Sequence, residues 1–104
     1  MSRGPDAATL LARALMRSAS EAGLSLTVRH ANLRRWASAT FAGARHELTV
    51  ELPDGGAALA WLDALAEADL PIRGHLVADA VVLRKHGEGE WLVAALEILT
   101  VEDL

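Results

Sequence analysis

Apolar and polar positions recur with two different periods along this chain, and the switches between them mark its elements. From Asp6 the spacing is helical. Leu10, Leu11, Ala14, Leu15, Ala19 and Ala22 form one stripe, with Arg13, Arg17 and Glu21 on the other side. Asp6, following Pro5, suits an N-cap, and Gly23 suits the left-handed residue after a helix. From Leu24 the period drops to two. Leu24, Leu26, Val28 and His30 are expected on one side of a strand that breaks or bulges at Asn32 and Leu33 and resumes over 34–41. A turn around Gly43 leads to a half-buried strand, in which Leu48, Val50 and Leu52 alternate with Glu47, Thr49 and Glu51.

Pro53-Asp54-Gly55-Gly56 predicts a turn, with Asp54 capping a second helix that runs to about residue 69. Ala58, Trp61, Leu62 and Leu65 share its inner side, and Leu70-Pro71 stops it. Residues 72–86 and 90–101 then read as two arms of a hairpin about Gly87-Glu88-Gly89, with 102–104 frayed.

The element order is αββαββ, a tandem helix–hairpin arrangement in one α+β domain over 1–104. Its expected form is a two-layer sandwich: a four-stranded antiparallel sheet with two helices on one face. In shape this resembles a ferredoxin-like sandwich in a permuted order, its first strand moved to the end; shape does not carry function. The halves 6–52 and 54–102 read as an internal repeat. Glu21-Ala22-Gly23-Leu24 matches Glu67-Ala68-Asp69-Leu70, and Leu48-Thr49-Val50-Glu51 matches Leu99-Thr100-Val101-Glu102.

The second hairpin breaks the expected alternation. Leu76, Ala78, Ala80 and Val82 are opposed by Val77, Val81 and Leu83, interrupted by Asp79. Leu92, Ala94, Leu96 and Ile98 are opposed by Trp91, Val93, Ala95, Leu99 and Val101, interrupted by Glu97. Two helices cover one side of a sheet, so the other needs a cover too. A two-fold dimer uses one patch twice, and the expected dimer interface is Val81, Leu83, Trp91, Val93 and Ala95.

Composition narrows the chemistry. The 104 residues contain no cysteine, which excludes disulfides, thiolate nucleophiles and zinc–thiolate sites. No run is long enough for a membrane span, and the first apolar stretch is cut by Arg13, unlike a signal peptide, so a cytoplasmic location is expected. Nine of the ten basic residues are arginine, a usage that suggests a GC-rich bacterial genome. The net charge of −4 divides into +3 over residues 1–52 and −7 over 53–104, so the halves should attract one another within a chain or between subunits.

No catalytic motif is present, neither a nucleophile elbow nor a Gly-rich phosphate loop. No pair among His30, His46, His75 and His86 has a metal-ligand spacing, so no metal and no cofactor is expected. His30 and His75 occupy similar places in the two halves and could approach across the sheet. Asp79 and Glu97 fall opposite each other if the arms pair about Gly87–Gly89, and two adjacent carboxylates would raise one pKa. These four are the candidate polar groups of a ligand site. Arg29, Arg34, Arg35 and Arg45, near Trp36 and Phe41, form a basic patch of the kind that binds RNA; a pI near 5.5 and the lack of an RNP-like motif weigh against that use. The leading expectation is a non-enzymatic homodimeric interaction or adaptor module. The alternative is a small-ligand-binding protein or small enzyme with a pocket at the sheet or the dimer interface.

Overall fold

Helix α1 (Ala7–Glu21) forms where the apolar stripe predicts it, and both ends are built from local hydrogen bonds. The Thr9 N–H donates to Asp6 Oδ1 at 2.9 Å, which satisfies one of the orphan donors of the first turn. At the other end Gly23 N–H donates to Ser20 O and Leu24 N–H to Ala19 O, closing a Schellman motif that turns the chain toward the sheet. The computed structural model describes residues 6–103; Pro5, ahead of the cap, and Leu104, in the expected frayed end, lie outside them.

The remaining elements are β1 (Thr27–Ala37), β2 (Ala42–Pro53), α2 (Gly56–Ala64) with a 3-10 turn at Leu65–Glu67, β3 (His75–Glu88) and β4 (Trp91–Glu102). The protein is α+β: two helices and one four-stranded antiparallel sheet in the order β1-β2-β4-β3. Leu11 and Leu15 of α1, Ala58, Trp61 and Leu62 of α2, and Leu48, Val50, Leu52, Ala94, Leu96 and Ile98 of the central strands form one buried cluster. Both helices therefore cover the same sheet face, called inner below. Trp61 Nε1 donates to Ser18 Oγ at 3.0 Å and ties the helices together.

Several boundaries differ from the sequence expectation. Gly55, not Asp54, is the N-cap of α2: its carbonyl accepts the first helical hydrogen bond, from Leu59 N–H at 3.2 Å, while Asp54 N–H donates to Glu90 O at 2.9 Å. The first hairpin turns at residues 38–41, where Ser38 Oγ accepts from the N–H groups of Thr40 and Phe41, and Gly43 is inside β2. The second hairpin turns at Gly89-Glu90, with Glu88 opposite Trp91. Gly89 has φ +60°, as the first position of a II′ turn requires.

Three bulges reset the strand phase. One residue is inserted at Arg29 in β1, and two at Ala78 and Leu83 in β3. The first puts His30 on the face opposite Val28, and no bulge falls at Asn32 or Leu33. In the first of the two internal sequence matches Leu24 and Leu70 are both buried, but the second match differs in phase. Leu48 is buried beneath the helices, whereas Leu99 pairs with Arg45 on the uncovered side.

Candidate functional site

The outer sheet face carries no helix. Its columns follow from the register: Thr27, His30, Asn32, Arg34 and Trp36 on β1; Arg45, Glu47, Thr49 and Glu51 on β2; Trp91, Val93, Ala95, Glu97, Leu99 and Val101 on β4; Leu76, Asp79, Val81, Arg84, His86 and Glu88 on β3. The two-sided apolar character read from the second hairpin is thus real for β4, whose outer column is apolar except at Glu97. Leu76 (58% exposed), Trp91 (42%) and Val81 (39%) remain open to solvent. Trp36 lies over Gly43, and a Cβ on that glycine would come within 2.8 Å of Trp36 Cζ2. The Trp36 Nε1–H is buried with no acceptor among the described residues.

Two expected interface residues behave differently. Val93 is only 4% exposed although no helix lies over it. It sits between Glu51 and His86 in the register, where Arg29 reaches from β1 to Glu51 at 3.5 Å and to Glu88 at 3.4 Å. This ionic bridge roofs the valine. His86 Nε2 completes it at 2.8 Å from Glu88, and these hydrogen bonds, to His86 first and Arg29 second, hold the Glu88 carboxyl below its ordinary range. Leu83 is the extra residue of a bulge and has no partner on β4. It is 48% exposed and lines a groove at the sheet edge with Leu62, Ala66, Val81 and Arg84.

Opposite charges in the two halves do attract one another, through Arg29–Glu88 and an Arg45–Glu97 pair at 3.1 Å. That engagement draws on the basic patch: Arg29 and Arg45 hold carboxylates. Arg35 pairs with Ala44 on the inner side, where its charge helps to lower the Asp6 pKa after the hydrogen bonds from Thr9. Arg34 stands beside Arg45 on the outer face, so Arg35 is the one member of the patch that leaves it.

The four candidate ligand groups do not converge. His30 is on β1 and His75 on β3, at opposite edges of the sheet and on opposite faces. Three strand spacings of about 4.8 Å separate the edges. Asp79 pairs with Leu99, and Glu97 with Val81, because the turn begins at Gly89 and not at Gly87; the Leu83 bulge recovers only part of that shift. Among the described residues no group of three His, Asp or Glu side chains could hold a metal ion, and no helix is long and apolar enough to cross a membrane.

A buried polar pair was not among the sequence candidates. His46 is 2% exposed and Thr100 fully buried. The His46 Nε2–H donates to Thr100 Oγ1 at 2.9 Å, and that hydroxyl donates to Ala44 O at 3.4 Å. Burial lowers the His46 pKa from 6.5, and nearby His75 lowers it further against a smaller opposing effect of Asp6, so the ring is neutral at pH 7. Strand parity alone locates both residues, since His46 is in phase with Leu48 and Val50, and Thr100 with Leu96 and Ile98. The arrangement stitches β2 to β4 and leaves no exposed group for chemistry. No family model, curated protein or solved structure matches this chain.

Proposed function

We propose that the chain is a non-enzymatic interaction module that works as a homodimer through the outer face of its sheet. The observation that carries this reading is the apolar outer column of β4, which no helix covers: Trp91 is exposed, Ala95, Leu99 and Val101 are half-buried, and exposed Leu76 and Val81 stand beside it on β3. Four strands at about 4.8 Å and the 12 residues of β4 at about 3.3 Å give a face of roughly 750 Å². A standard interface covers about 800 Å² per partner. Each 100 Å² of apolar surface removed from water contributes about 2.5 kcal/mol, against an association cost of about 4–15 kcal/mol, so most of the face must be used. The face carries both charge signs beside its apolar column, which suits a second copy of itself better than a polyanion.

The fold is read as a ferredoxin-like sandwich in permuted order, a reading the strand order β1-β2-β4-β3 supports. The same order is symmetric about the β2–β4 pair, which favours a helix–hairpin repeat in arrangement though not in the matched residues. Light scattering on a sizing column at micromolar concentration tests the dimer. Twice the 11.0 kDa chain mass is expected, with Ala95→Arg, in the middle of the column, returning the protein to one chain mass. A native protein that elutes at one chain mass refutes the reading.

A further inference from the structure

The outer face restricts how a second copy can sit, and we infer that the two-fold axis crosses β4 at right angles to the strands, between Ala95 and Glu97. This rests on the homodimer reading above. The apolar side chains of the two central strands' outer columns are all on β4, so apolar surface meets apolar surface only if β4 lies over the partner's β4. Three in-plane axes bury the face. An axis between β2 and β4 along the strands puts Leu99 over the partner's Arg45, Val93 over the partner's Glu51 and Glu47 over the partner's Glu97. An axis along β4 puts each Glu97 on the partner's Glu97. Both place carboxylates against each other in a drying interface, which is costly.

The crosswise axis keeps each strand over its own copy and reverses its direction. Trp91 then meets the partner's Val101, Val93 the partner's Leu99, and Ala95 the partner's Glu97. On β2, whose register with β4 pairs Arg45 with Leu99 and Glu51 with Val93, Arg45 meets the partner's Glu51, and Glu47 the partner's Thr49. No like charges face each other along the two central strands. Arg45, already 3.1 Å from its own Glu97, bridges that carboxylate to the partner's Glu51. Leu99 takes the place over the partner's Val93 that Arg29 occupies in a single chain, so docking requires Arg29, a half-exposed side chain, to leave its contacts of 3.5 Å to Glu51 and 3.4 Å to Glu88, while Glu88 keeps its 2.8 Å bond to His86. Packed sheets stagger by about 30°, so the pairs nearest the axis hold their register best.

Because the chain has no cysteine, single-cysteine variants report the geometry directly. Leu99→Cys and Val93→Cys are prepared separately, mixed to exchange subunits, and treated with a bis-maleimide that reaches about 8 Å, suited to sheets about 10 Å apart. The crosswise axis predicts a cross-linked dimer in the mixture and none in either variant alone, since the two copies of one position lie about 20 Å apart by the strand rise. Cross-linking of Leu99→Cys with itself overturns the inference in favour of an axis along β4. A dimer by light scattering that no combination links overturns it too, leaving the homodimer reading standing. A single-chain mass removes both.

Discussion

Replacing Gly43 with alanine sets two ordinary rules against each other. Glycine within a strand costs about 0.5–1 kcal/mol relative to alanine through the freedom it loses on folding, so propensity alone predicts a more stable variant. The local geometry predicts the reverse. A Cβ at Gly43 overlaps the carbonyl oxygen of Thr100, a backbone atom of the neighbouring strand, and stands 2.8 Å from Trp36 Cζ2. An ordinary C···O contact needs about 3.3–3.6 Å, so β2 and β4 must part where Gly43 pairs with Val101. Weakening two ladder hydrogen bonds costs about 1–3 kcal/mol, and pushing the indole off its rotamer adds about 0.5–1.5 kcal/mol. Less the entropy gain, the net loss is about 2 kcal/mol, or about 8–16 °C in Tm for a domain of this size. Urea titration followed by tryptophan fluorescence measures it, with Gly56→Ala as control, since nothing lies within 4 Å of a Cβ there. A Gly43→Ala protein as stable as its parent would falsify the reasoning.

The buried histidine makes stability depend on pH with a definite sign. The folded pKa of His46 lies below 6.5, so the unfolded chain binds a proton that the folded chain refuses. Stability is therefore full above about pH 6.5 and falls as the pH drops toward the folded pKa; His46→Leu should flatten urea midpoints across that window, and an unchanged slope counts against the assignment. Thr100→Val strands the His46 N–H without an acceptor and should cost about 1–3 kcal/mol in the same titration, whereas a neutral result would mean the ring finds another partner. Asp6→Ala should cost about 1 kcal/mol through loss of the α1 cap, visible as a lowered thermal midpoint.

The helices were legible because a period of 3.6 survives local irregularity. Leu11, Ala14, Leu15 and Ala19 are buried as their spacing requires. The strands were legible as elements but not in phase. A bulge inserts one residue and leaves no mark in composition, yet it moves every later side chain to the other face. That is why His30 does not share a side with Val28, whereas Asp79 keeps the face of Glu97 and misses it because the hairpin turns two residues later than the glycines suggest. The α2 cap was misplaced for a similar reason: Asp54 is tied to the second hairpin turn by a hydrogen bond to Glu90 O, made across 36 positions, which local spacing does not reveal. By contrast the apolar second side of β4 was readable, because parity holds without a break along a strand whose pairing with β2 is regular.

The bulges also limit the size of any assembly. Both edge strands carry them, at Arg29 on β1 and at Ala78 and Leu83 on β3, while the central pair has none. Each one interrupts the row of free N–H and C=O groups that an incoming strand would copy, so neither rim can template the next chain in a growing ribbon. One face is already sealed by helices. In the proposed homodimer a second copy would take the remaining face, and association would then end at a closed pair instead of a fibre.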